Sequence, residues 1–230
     1  MARFNKINLI IIETAIVLLY LFNVNLAFIL VLIAKACIFF FLKRRTNTIT
    51  ALFSILVLSI PTSFINILGG KYGLLPISWF NIYFLLIFFY FFSKFNQLKL
   101  DTLSLIAIML SVSLLMSVLV SYDKSQALKD YFNFLVMLFL IIVRTKKLDF
   151  KILKESFIIA GYSLVFALLV QIYFFIAYGK VFGKIDIYPM RIAFGATFSD
   201  YSFLSLFFAT IGGIFFIERQ KKGFLFFILC

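Results

Sequence analysis

Two ionisable side chains lie deep in apolar sequence, and three cations share one apolar loop. The deep residues are Glu13 and Lys35; the loop cations are Lys180, Lys184 and Arg191. A lone charge in hydrocarbon is expensive, so a deep ionisable group must find a partner or reach the surface. Glu13 comes shortly after the start of one apolar run, and Lys35 comes shortly before the end of the next. At 1.5 Å rise per residue, both lie roughly 10 Å from the same edge of an antiparallel helix pair. The spacing predicts an ion pair. The alternative is that both side chains snorkel outward, Lys35 toward residues 43–45 and Glu13 toward Lys6. A proton relay is poorly supported, because no further deep carboxylate continues the path.

The loop spans 179–200 and interleaves its cations with Val181, Phe182, Ile185, Ile187, Tyr188, Met190, Ile192 and Phe194. Cations beside an apolar floor suit an amphiphilic anion, and the planar fork of arginine suits a diphosphate. The alternative is simple contact with anionic lipid headgroups. A shorter polar segment, 121–130, reads most simply as a helix entry capped by Asp123 or Ser125. Asp123, Asp130, Asp186 and Asp200 are the carboxylates on the same predicted side, and none of them earns a catalytic assignment. The chain has no histidine, and Cys37 and Cys230 cannot build a metal site, so neither metal nor cofactor is expected.

The elements that must hold these groups follow from composition. Hydrophobic residues make up 64% of the chain and charged residues 13%. A soluble chain of 230 residues cannot hide that much apolar surface. The expectation is an all-α, polytopic integral membrane bundle forming a single domain over 1–230. Its spans are predicted at 7–22, 26–42, 49–68, 77–93, 102–120, 128–143, 156–178 and 201–217, with a ninth opening at 224. Pro61 should kink the third span. The net charge of +13 does not indicate nucleic acid, because the basic residues gather in short gaps after every second run. That rhythm places the N-terminus in the cytoplasm, and no cleavage site follows the first run. The sequence stops inside an apolar run, so the chain reads as C-terminally truncated.

Arg191, Gly195 and Phe198-Ser199-Asp200-Tyr201-Ser202, running straight into a predicted span, form a segment that resembles one in bacterial O-antigen polymerases and ligases and related capsule polymerases. The many-span layout and the 121–128 loop are also similar to that family. The resemblance implies glycosyl transfer outside the cytoplasmic membrane, from undecaprenyl diphosphate to another sugar or a lipid acceptor. Such a donor is already activated, so no metal is implied. Arg191 would neutralise the leaving diphosphate, with Lys184 and Lys180 nearby. Gly195 would permit a tight backbone course, and Ser199 or Asp200 would cap the next helix. Family members continue into further spans and a large outer loop, so this chain reads as the N-terminal part and, alone, as inactive. The implied partners are the lipid-linked glycan, membrane lipids and other polysaccharide-export proteins, in the bacterial cytoplasmic membrane. The competing readings are a transporter or flippase for lipid-linked glycans, and a non-catalytic truncated membrane protein. A transporter should keep polar groups or broken helices near the midplane. The spans offer little of that kind beyond Glu13, Lys35, Asn66, Asn81 and Gln171.

Overall fold

A computed structural model describes residues 6–22, 27–63, 65, 78–92, 101–124, 127–128, 131, 135, 148–188, 191–198, 201–218 and 223. In chain order the elements are α1 (Lys6–Leu21), α2 (Ala27–Arg45), α3 (Thr48–Leu58), a 3-10 turn (Ile60–Thr62), α4 (Trp79–Phe92) and α5 (Thr102–Val120). They are followed by α6 (Phe150–Tyr178), β1 (Lys184–Tyr188), β2 (Arg191–Ala196) and α7 (Tyr201–Ile217). They divide into two units, one of Met1–Tyr83 with Leu148–Cys230, the other of Phe84–Lys147.

The first unit is organised around α6. Its start is set by Asp149, whose carboxylate accepts the N–H groups of Lys151 and Ile152. Its end is set by Gly179, in the left-handed conformation at φ 63°, whose N–H reaches back to the Phe175 carbonyl. One face of α6 is buried, with Ser156, Ala160, Ser163, Ala167 and Gln171 at helical spacing. Small residues on that stripe let α1 and α3 approach closely.

α3 is short for a physical reason. Asn47 opens it by accepting the Thr50 N–H at 2.7 Å. Pro61 has no N–H to continue the ladder, so the helix stops at Leu58 and a 3-10 turn follows. Every residue from Thr50 to Leu58 is buried. This helix is surrounded by protein rather than presented to solvent or lipid.

Two contacts set one end of the unit. The Asp149 N–H donates to Thr50 Oγ1 at 3.0 Å, joining the starts of α3 and α6. Lys154 pairs with Glu218, joining the start of α6 to the end of α7. At the opposite end, Thr197 Oγ1 donates to the Pro61 carbonyl. There the Phe22 ring meets Phe174 and Phe182 edge-on, with centroids 5.5 and 4.8 Å apart.

In the second unit, Asp101 caps α5 through the Ser104 N–H and hydroxyl at 2.9 and 2.8 Å. Ser111 and Tyr131 hydroxyls lie 3.2 Å apart. Ser104 and Ala107 are buried, whereas large apolar side chains from Leu103 to Val120 are exposed around α5.

The expected bundle of eight spans and a ninth is corrected. Among the described residues, two helices are long and apolar enough to cross a membrane, α5 and α6. The other runs fall short for separate reasons. α1, α3, α4 and α7 have 16, 11, 14 and 17 residues. α2 has 19 but carries Lys35 inside and Lys43, Arg44 and Arg45 in its last turn. The all-α expectation also fails, because Lys184–Tyr188 and Arg191–Ala196 pair as antiparallel strands of a hairpin. The runs 128–143 (save 128, 131 and 135) and 224–230 lie outside the described residues.

Candidate functional site

The hairpin follows from local pattern. Lys184-Ile185-Asp186-Ile187-Tyr188 alternates polar and apolar side chains, the period of a strand. Ile185 faces Phe194, Asp186 faces Ala193, Ile187 faces Ile192 and Tyr188 faces Arg191, with an irregularity between Lys184 and Ile185. Gly183 enters it at φ 63°, where an added Cβ would stand 2.2 Å from the Ala196 carbonyl oxygen. Only glycine fits there. Gly195 also lies in a close approach, since a Cβ would meet both Lys184 Cβ and the Phe198 carbonyl oxygen at 3.1 Å.

Gln171 fastens the hairpin to α6. Its Nε2 donates to the carbonyls of Phe182 at 2.5 Å and Lys184 at 3.1 Å. Its Oε1 accepts the Ala196 N–H at 3.0 Å. Gln171 is fully buried, and Ala196 takes a positive φ of 50° beside it. An unfavourable backbone conformation persists only where the surroundings hold it, and the amide supplies that hold. Gln171 has no role that sequence alone assigns. Its signal was a large amide in an apolar helix, which must find hydrogen-bond partners once buried.

The loop cations are distributed along this hairpin. Lys180 is exposed just beyond α6. Lys184 stands at the base of β1, and its ammonium pairs with Asp186 at 2.8 Å. Arg191 opens β2 at the tip, opposite Tyr188. Four residues at about 3.3 Å each put roughly 13 Å of strand between the levels of Lys184 and Arg191. The backbones of Lys184 and Arg191 therefore stand at opposite ends of the paired strands. Ile187 and Ile192 are cross-strand partners, and both are exposed. Ser199 and Asp200 lie outside the described residues. In the 121–130 segment, helix begins at Lys124, and the Ala127 N–H bonds the Asp123 carbonyl at 3.0 Å.

The structure brings Glu13 and Lys35 together. Lys35 Nζ donates to both Glu13 carboxylate oxygens, at 2.9 and 2.8 Å, and to the Leu58 carbonyl at 3.0 Å. The side chains are 1% and 0% exposed, so water does not share the load. The third bond is a consequence of the break in α3. The Thr62 N–H, which a continuous helix would offer to Leu58, goes to Ser59 instead. Lys35 supplies the missing donor and places a cation at the helix C-terminus, the favourable end of the dipole. All three ammonium donors are used, so the site is a closed knot joining α1, α2 and α3. Nearby, the Trp79 indole N–H donates to the Tyr20 hydroxyl. The Trp79 ring stacks on Phe28 at 5.5 Å and on Tyr83 at 6.1 Å.

Among the described residues no group of three or more His, Cys, Asp or Glu side chains could hold a metal ion. Comparison with protein-family models, curated proteins and solved structures finds no match to this chain.

Proposed function

We propose that this chain is part of a membrane glycosyltransferase that polymerises or ligates undecaprenyl-diphosphate-linked oligosaccharides. It would work on the outer face of the bacterial cytoplasmic membrane and cross that membrane more than once. The observation that carries this reading is the hairpin. It combines exposed apolar side chains at Ile187 and Ile192 with Lys180 at its root and Arg191 at its turn. An apolar surface beside cations suits a ligand with a prenyl chain and a diphosphate. The Gln171 bonds give that surface a fixed mounting on α6. Charge distribution supports the orientation: Lys43, Arg44, Arg45 and Lys151 lie at the end of the first unit opposite the hairpin.

In this reading a sugar hydroxyl of the acceptor attacks the anomeric carbon, and the carbon–oxygen bond to the diphosphate breaks. The leaving diphosphate takes the electron pair of that bond and, directly or through water, the proton of the attacking hydroxyl, so the products are the joined glycan and free undecaprenyl diphosphate. Arg191 stabilises the charge that builds there. Arg191→Ala in the native host should abolish long-chain glycan while leaving membrane insertion intact. Undiminished polymer in that variant refutes the reading.

A second reading, a transporter or flippase for lipid-linked glycans, has its own support. α3 ends at Leu58, ahead of Pro61, with a buried ion pair at that end, and transporters place their ion and substrate sites at the ends of broken helices. Reconstituted protein that moves a labelled lipid-linked glycan between leaflets without joining units would favour it.

A further inference from the structure

The end of the first unit opposite the hairpin, which the glycosyl-transfer reading uses only for orientation, has binding chemistry of its own. α1 begins and α2 ends at the same level, because the Glu13–Lys35 pair locks them antiparallel about two turns away. The α3 start follows α2 directly, and the Thr50–Asp149 bond brings in the start of α6. The last turn of α2 presents Lys43, Arg44 and Arg45, all exposed, and the first turn of α6 presents exposed Lys151. The acidic groups described at this end are Asp149, Glu155 and Glu218. Asp149 is engaged with the α6 N-terminus and Glu218 with Lys154. The balance is cationic. Large apolar side chains stand exposed beside these cations, with Phe40 61% and Phe150 70% exposed. The Arg45 guanidinium lies 4.2 Å from the centroid of the Phe41 ring, which holds the charge against an apolar surface.

We infer that this rim is a docking surface for an anionic phospholipid. The phosphate meets Arg44, Arg45 and Lys151, and the acyl chains lie against Phe40 and Phe150. Charge complementarity selects the headgroup, and the adjoining apolar side chains select a lipid over a free anion. This inference does not depend on glycosyl transfer, and a transporter would carry the same rim.

The test uses the whole chain purified in a neutral detergent and titrated with phosphatidylglycerol, phosphatidylcholine or inorganic phosphate, with melting temperature as the readout. Phosphatidylglycerol should stabilise the native protein, and the other two should not. The triple variant Lys43→Gln, Arg44→Gln, Arg45→Gln should lose phosphatidylglycerol affinity by about tenfold or more. The charge-retaining Arg44→Lys, Arg45→Lys should keep most of it. If the triple variant does not fold, Arg45→Gln with Lys151→Gln replaces it and should also lose most of the affinity. Equal stabilisation by phosphatidylcholine overturns the charge selection, and equal stabilisation by inorganic phosphate overturns the lipid assignment. Undiminished phosphatidylglycerol binding in the neutralised variants overturns the site.

Discussion

Replacing Lys35 with methionine isolates what the buried knot contributes. The methionine fills similar volume but carries no donor. Three bonds disappear, and the Glu13 carboxylate and Leu58 carbonyl stay behind in a sealed site. Removing one partner of a buried pair costs about 3–5 kcal/mol, because the survivor keeps its desolvation penalty. For a chain of this length, about 2–4 °C of melting temperature accompanies each kcal/mol, so the single variant should melt roughly 6–20 °C lower. Glu13→Leu combined with Lys35→Met removes both charges and leaves the Leu58 carbonyl as the main orphan, a cost of about 1–3 kcal/mol. Loss of the desolvation penalty offsets part of that. The double variant should therefore melt well above the Lys35→Met single. The deficit of the single should shrink as pH falls, because protonating Glu13 removes the buried charge. Thermal unfolding of all the variants in one neutral detergent, at two pH values, measures each quantity. A single variant within about 2 °C of native, or a double variant no better than the single, would refute the reasoning.

Gln171→Leu should free the hairpin, since three backbone groups lose their partner, each at about 1–3 kcal/mol if it stays buried. Proteolytic cleavage within 180–191 should rise at least about tenfold. Gly179→Ala, with open space around the added carbon, should cost about 1–2 kcal/mol for its left-handed backbone alone. Gly183→Ala should cost more, because its Cβ would collide with the Ala196 carbonyl, and melting temperatures of the two variants give the order. Arg191→Lys should recover glycan polymer poorly relative to native, because a point charge cannot make the two-pronged contact with a diphosphate; chain-length analysis of the glycan reads this.

What the amino acids disclose in advance depends on how local the cause is. α5 runs over Thr102–Val120, the limits its apolar run suggests, because Asp101 supplies a cap next to that run. The meeting of Glu13 and Lys35 was legible because hydrocarbon penalises charge and the turn between their helices is short. α6 begins six residues before its apolar run, at Phe150, since Lys151, Lys154 and Glu155 are good helix formers that hydropathy excludes. The span count failed because apolarity alone does not say what covers a helix. α3 is as apolar as a span, yet protein buries it, and Pro61 ends it early. The hairpin was hidden by composition. Ile185, Ile187, Ile192 and Phe194 read as a membrane-seeking loop, although their period of two was available. Gln171 needed the fold itself, because its partners are backbone groups of residues up to 25 positions away.

The Thr50–Asp149 bond has a consequence for biosynthesis. It closes a body whose two halves are separated in the chain by the whole of Phe84–Lys147. A ribosome adding about 5–20 residues per second produces α3 several seconds before α6 emerges. Throughout that wait, a helix that matures with nine consecutive residues sealed has α2 beside it but lacks the cover that α6 supplies. The insertion machinery or a holdase must shelter it, so depleting that shelter should trap newborn chains that full-length synthesis would otherwise rescue.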